Sequence, residues 1–222
     1  MGTQSRRRSR VPVSRDRILN AAIALADEGG IESLTMRRIG QALGVEAMAL
    51  YRHVTNKYDI VDGMVDVVFS EIDLPAPETN WKTAMRERAI SVREALSRHR
   101  WAVGLMESRR NPGPANLRHH DTVIGTLRAA GFDMATAAHV YPLLDSYIYG
   151  FAMTQMNLPF ESSEEVAEVA QEMLQVFPVN AYPNLAAFIT EHAMKPGYDH
   201  GSEFEWGLDV ILNGLEAALA TA

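Results

Sequence analysis

Apolar residues return along this chain every three or four positions, the period of a helix with one buried face. Ile18, Ala21, Ala22, Leu25 and Ala26 form the first stripe, with Ser14 before it as an N-cap and Gly29-Gly30 closing it. Thr35 caps a second helix that turns Met36, Ile39 and Leu43 inward and ends at Gly44. A short third helix is predicted from Val45 to His53. Asn56 caps a fourth, over 57–71, burying Ile60, Met64, Val67 and Val68. Further helices are predicted near 80–98, 100–108, 114–130, 133–157, 163–176, 184–192 and 203–220, with prolines punctuating the intervals. No sustained two-residue alternation of Val, Ile and aromatics predicts a sheet, so the fold class is all-α.

The third helix is too short to be stable alone, and it ends in polar side chains. Two helices joined through a glycine turn and braced by a helix in front make a helix-turn-helix, whose second helix is sized for the DNA major groove. On that reading Glu46, Ala47, Met48, Ala49, Tyr51, Arg52 and His53 face DNA. Lys57 opens the next helix, where its ammonium and the free amides both favour a phosphate oxygen. The chain then divides into a basic disordered arm at 1–13, a DNA-binding domain at 14–60 and a larger helical domain at 61–222.

The stretch LTMRRIGQALGVEAMALYRHVTNK, residues 34–57, resembles the DNA-binding signature of the tetracycline-repressor (TetR) family. RAAGFDMATAAHVYPLLDSYIYGFAM at 128–153 and EFEWGLDVILNGLEAAL at 203–219 resemble the dimer helices of its tetracycline-repressor-like C-terminal domain. The resemblance implies that Thr35 and Arg37 meet backbone and bases, that Ala47, Met48, Ala49 and Tyr51 occupy recognition positions, and that His53 and Lys57 contact the backbone. Ala47 and Ala49 stand where the tetracycline repressor has polar residues, so a different operator is expected. Base readout then leans on Arg37, Glu46, Met48 and Tyr51.

Two charged residues interrupt apolar stripes in the larger domain. Arg88 shares a helical face with Trp81, Met85, Val92 and Leu96; Asp145 shares one with Tyr141, Ile148, Tyr149 and Met156, close to a kink expected at Pro142. A buried guanidinium needs a partner, so Arg88 and Asp145 are expected to pair or to grip a ligand, the alternative being that each tips outward or braces a helix. Met85, Trp101, Met106, Asn116, His120, Tyr141, Tyr149, Met153 and Phe177 complete a candidate wall for a small, mostly apolar effector. The resemblance places Met106 where the tetracycline repressor has its magnesium-binding histidine, and Arg88 near a drug-gripping amide. Magnesium–tetracycline is therefore not the expected effector. Phe204, Leu208, Ile211, Leu212, Leu215 and Leu219 form a stripe read as a homodimer face, with Gly150 allowing close approach beside Tyr147, Phe151 and Thr154.

Charge sharpens this picture. Residues 1–57 carry ten Lys/Arg against five Asp/Glu, a net of +5, whereas the remaining 165 carry -12. A basic head on an acidic body suits a polyanion-binding module on a separate scaffold. The chain has no cysteine, which fits a reducing cytoplasm, and no apolar run long enough for a membrane helix. No metal and no cofactor are expected, and the seven scattered histidines form no catalytic cluster, so no enzyme is expected. The expected function is a homodimeric, ligand-released repressor on a palindromic operator of double-stranded DNA. Two alternatives stay open: the same fold governed by a protein partner or by no effector, and a helical enzyme carrying a DNA-binding head.

Overall fold

The computed structural model describes residues 12–76, 78–160 and 162–220. Most of the arginine arm expected at 1–13 lies outside them. Ten α-helices are described: α1 (Arg15–Gly29), α2 (Met36–Leu43), α3 (Ala47–Leu50), α4 (Lys57–Ser70), α5 (Trp81–Arg98), α6 (Pro114–Ala129), α7 (Met134–Met156), α8 (Ser163–Val176), α9 (Pro183–Phe188) and α10 (His200–Ala220). No strand occurs among the described residues, and no helix there is long and apolar enough to cross a membrane. Residues through Glu71 gather with Arg98–His119 in one unit, and Ile72–Ser97 with His120 onward in a second.

Local chemistry sets the helix starts. Ser14 Oγ accepts from Arg17 N at 3.4 Å, Thr35 Oγ1 from Arg38 N at 3.2 Å and Asn56 Oδ1 from Asp59 N at 3.0 Å. Each satisfies an amide that the helix itself leaves unbonded, worth about 1 kcal/mol. α6 is capped from elsewhere: Pro114 opens it, and Asp66 of α4 accepts from Asn116 N at 2.9 Å.

α1 and α4 run parallel in one register. Arg15 Nη2 donates to Asp59 Oδ1 at 2.7 Å, and a Cβ on Gly63 would stand 2.8 Å from Leu19 Cδ2. At the far ends the ring nitrogens of His99 lie 2.8 Å from Asp27 Oδ1 and 3.2 Å from Glu71 Oε1. Burial works to raise the Glu71 carboxyl, but hydrogen bonding from Arg98 and the His99 ring hold it below its ordinary value. Ile18, Ala22, Ile39, Leu50, Ile60, Met64 and Val68 supply the buried apolar side chains of this unit.

Between α2 and α3 the backbone makes a Schellman turn. Gly44 takes the left-handed conformation at φ 68°, Gly44 N donates to Gln41 O at 3.1 Å and Val45 N to Gly40 O at 2.9 Å. α3 is consequently shorter than the helix expected from Val45 to His53. The turn takes the Val45 amide, Glu46 is extended at ψ 145°, and Tyr51–His53 close as a hydrogen-bonded turn on Leu50 O.

In the second unit α5 and α10 lie antiparallel along a polar seam: Lys82 Nζ is 2.7 Å from Glu216 Oε2, and Arg86 Nε is 3.0 Å from Asp209 Oδ1. Arg93 Nη1 reaches Gly201 O at 3.4 Å near the start of α10. On α7, which contains Pro142, Tyr147 donates its hydroxyl to Phe204 O at 2.9 Å. The helix expected over 100–108 is a single 3₁₀ turn, Arg100–Ala102, followed by further turns, and α9 passes into a π-turn at Ile189–Ala193. The stripe read as a dimer face also needs correction. Phe204, Leu208 and Leu212 are fully buried inside the protomer, while the exposed apolar residues of α10 are Trp206 and Val210. A helix that packs on both sides has two apolar stripes, and periodicity does not say which one turns inward.

Gly40 is the close-packing point of the helix-turn-helix: a Cβ there would stand 2.8 Å from Val45 O and 3.2 Å from Ala47 N, both backbone atoms. Gly40→Ala is therefore expected to lower stability by about 1–3 kcal/mol as the turn is forced off α2. Urea unfolding checks this, and a change below about 0.5 kcal/mol would refute the close approach.

Candidate nucleic-acid interface

Leu50, buried completely, and Val54, 3% exposed, anchor α3 and the turn that follows it. Burying a leucine contributes about 1.5–3 kcal/mol, which a four-residue helix could not supply from its own hydrogen bonds. Anchoring that side leaves the other outward: Met48 is 75% and Tyr51 47% exposed. Glu46, Arg52 and His53 are exposed with them, and Ala47 and Ala49 are half-buried at the flanks. These side chains form one surface with an apolar tip, a phenol and charged neighbours, the mix that reads thymine methyls and polar base edges.

Thr35 and Arg37 are exposed at the start of α2. Thr35 Oγ1 accepts the capping bond from Arg38 N, which leaves its O–H to donate outward. Arg38 is tied down, donating from Nη1 to Ser33 O at 3.1 Å. Lys57, the first residue of α4, is exposed among amide groups directed out of the helix end. Beside it Tyr58 is 75% exposed, a residue that the sequence reading passed over. The face defined by Ile60, Met64 and Val68 would have placed it outward.

Asp59 organises the loop between α3 and α4. Its Oδ2 accepts from Thr55 N at 2.7 Å and from Thr55 Oγ1 at 3.2 Å, while Oδ1 takes the Arg15 guanidinium. Sequence reading passed over this role also, because Arg15 is too distant along the chain for any local pattern to signal.

The residues expected to meet an effector are dispersed. Arg88, Asp145, Tyr141 and His120 come together in the second unit: Arg88 Nη2 donates to Asp145 Oδ1 at 2.6 Å, and the Tyr141 ring is 5.2 Å from that of His120. Met85 is fully buried and Tyr149 half-buried. Met153 is 51% exposed on α7, and Phe177 packs edge-on to Tyr182. Trp101, Met106 and Asn116 belong to the first unit, where Trp101 Nε1 donates to Asp27 Oδ1 at 2.6 Å. A surface cleft of about 440 Å³ between residues 75–81 and α6, lined by Trp81, Thr122, Gly125, Thr126 and Ala129, includes none of them.

Among the described residues the helix-turn-helix unit holds eleven Lys/Arg and ten Asp/Glu, a net of +1, and Arg6, Arg7, Arg8 and Arg10, which make up the rest of the basic head, lie outside them. The Asp59 contacts give a pH dependence of known sign. The hydrogen bond from Arg15, working against partial burial, and the Thr55 amide hold its carboxyl below the ordinary aspartate range. Its stabilisation is full above the unfolded-chain value near 3.8 and disappears as pH falls through the lowered folded value. Asp59→Asn is expected to lose up to about 1 kcal/mol at neutral pH and nothing at strongly acid pH, because the pair is partly exposed and screened. Denaturant unfolding across that range checks it, and a difference that persists into acid would contradict the assignment.

Residues 18–64 match the tetR family of bacterial regulatory proteins, and residues 74–219 match the tetracyclin repressor-like C-terminal domain. The chain is 30% identical to the HTH-type transcriptional repressor DrrR1 of Streptomyces coeruleorubidus, over 97% of this chain and 83% of that protein. It is 27% identical to the class C tetracycline repressor protein of Escherichia coli, over 92% and 91%. Among solved structures it is similar to apo ActR of Streptomyces coelicolor, with a TM-score of 0.78 and 26% identity over 96% of this chain and 99% of that one. It is similar also to ActR in complex with actinorhodin, with a TM-score of 0.77 and 28% identity over 94% and 97%. With a family match on both the helix-turn-helix and the helices beyond it, the chain belongs to the TetR family and is a ligand-responsive, DNA-binding transcriptional repressor.

Proposed function

We propose that a homodimer of this chain binds a palindromic operator through Thr35, Arg37, Glu46, Ala47, Met48, Ala49, Tyr51, His53 and Lys57, and is released by a small, mostly apolar effector held in the second unit. The observation that carries the reading is the surface around α3, where Leu50 is buried and Met48 and Tyr51 stand outward beside Lys57. A major-groove helix needs such a surface.

The dimer reading is supported by apolar area left exposed on two helices: Trp206 and Val210 on α10, with Leu143 and Met153 on α7. Gly150 has open space around it on α7, so a partner helix can approach closely there. Two helices from each protomer would make a four-helix interface, and a two-fold axis would set the recognition helices about 34–36 Å apart. The effector reading draws support from the buried polar cluster at Arg88 and Asp145, and from ActR, whose structure contains actinorhodin. An effector weakens operator binding only by its preference for the conformation that does not bind DNA. No catalytic step is assigned, and the site of action is the cytoplasm.

Selection of genomic fragments by the purified protein tests the reading. A single palindrome bound by a dimer, or by a pair of dimers, is the expected result; retention of DNA without sequence preference would overturn it. On the recovered site, Lys57→Ala is expected to weaken binding similarly for all sequences and to lower the salt slope by about 1. Tyr51→Ala is expected to cost about 1–3 kcal/mol and to relax preference at the base it reads. Titrations at two salt concentrations separate the two effects.

A further inference from the structure

His99, the residue that follows α5 directly, is held between two carboxylates inside the helix-turn-helix unit. It is 7% exposed; its Nδ1 lies 2.8 Å from Asp27 Oδ1, and its Nε2 lies 3.2 Å from each oxygen of Glu71. Asp27 belongs to the last turn of α1 and Glu71 caps the end of α4, so one ring joins the ends of two helices. The groups beside it are donors of fixed charge. Trp101 Nε1 reaches the same Asp27 oxygen at 2.6 Å, and Arg98 Nη2 reaches Glu71 Oε2 at 2.9 Å. Arg100, next to His99 in the chain, is exposed.

Both ring nitrogens therefore face carboxylate oxygens. A neutral imidazole has one N–H and one lone pair, and either tautomer would set that lone pair against a carboxylate. The imidazolium alone gives each carboxylate a hydrogen. Against the pull of burial, Arg98 and the His99 ring hold the Glu71 carboxyl below its ordinary value, so it stays ionised while an imidazole titrates. An imidazole changes charge between about pH 5 and 8, which the guanidinium and indole donors beside it do not. At the other ends of the two helices Arg15 meets Asp59, whose lowered carboxyl also stays ionised there. Loss of one proton from His99 thus frees one end of α4 from α1 and leaves the other end tied. Lys57 and the loop from α3 lie at the tied end, where a swing of α4 changes the angle at which the surface around α3 is presented.

Resting on the operator reading above, we propose that His99 is a positioning residue for DNA binding, a proton-dependent clamp between α1 and α4. With both nitrogens protonated it bonds Asp27 and Glu71 together and fixes the register of the two helices. When one proton passes from a ring nitrogen to solvent, one carboxylate loses its donor and operator affinity falls. The clamp is complete below about pH 6 and is lost towards about pH 8, so binding weakens as pH rises.

The test titrates the full chain on its recovered operator across that range at fixed ionic strength. A His53→Gln background removes the histidine proposed to face DNA. Affinity is expected to fall about fivefold to tenfold between about pH 6 and pH 8. His99→Gln is expected to flatten the profile to within about twofold. Glu71→Gln turns a partly exposed carboxylate into an amide that a neutral ring can bond, so it is expected to flatten the profile as well. It decides the matter if circular dichroism shows His99→Gln unfolded. Long-range proton–nitrogen spectra of the ring, which need no DNA, are expected to show both His99 nitrogens protonated at about pH 6. A flat profile with His99 intact, an undiminished slope in a folded variant, or a ring with one protonated nitrogen at that pH would overturn the proposal. Failure to recover any specific site would bring down the operator reading and the link to DNA together, whereas a specific site bound with a flat profile would bring down the clamp alone.

Discussion

Four residues of helix cannot hold themselves together in water, and the surface proposed to face DNA is built on such a helix. Every neighbouring feature makes up for that shortfall. Leu50 ties α3 to the core, Gly40 lets the turn backbone settle directly on α2, and Gly44 supplies the left-handed residue that the reversal demands. α4 then takes up the chain, and its register against α1 is fixed at one end by Arg15 and Asp59 and at the other by His99 between Asp27 and Glu71. The residues proposed to read DNA sit on the one side of α3 that none of these supports needs.

The division of labour between the two units follows from their polar interiors. In the first, charged side chains tie helix ends and turns to neighbouring helices and remain partly wetted. In the second, α5 is joined to α10 by a seam of partly exposed lysine and arginine contacts, whereas the Arg88 and Asp145 pair is withdrawn from water. A withdrawn pair is a poor source of stability, because the desolvation of two ions offsets most of their attraction.

What could be read in the sequence was local. Ser14, Thr35 and Asn56 announce helix starts because a short polar side chain can reach an amide three residues on, and Gly44 announces a reversal because few other residues take its conformation. α8 (Ser163–Val176) falls on the span expected near 163–176, and the structure adds Ser162 as its cap. The unreadable parts depend on partners far along the chain. Nothing local to Trp101 signals that its indole N–H donates to Asp27, seventy-four residues away, and nothing local to Asp66 signals that it caps a helix fifty residues on. Phe204, Leu208 and Leu212 were legible as one face of a helix, but which neighbour that face meets is a property of the assembled bundle. The pairing of Arg88 with Asp145 was anticipated because a charge on an apolar stripe is a local anomaly with few resolutions.

The uneven charge along the chain bears on how such a molecule finds its site. A net of +5 over residues 1–57 and -12 over the remaining 165 gathers the cations in the part of the sequence that carries the recognition helix, while the total stays negative. In the field of a polyanion the cationic stretch is drawn toward the phosphates, and the negative total limits the attraction of the chain as a whole. Discrimination between sites is then left to the contacts of individual side chains with base edges.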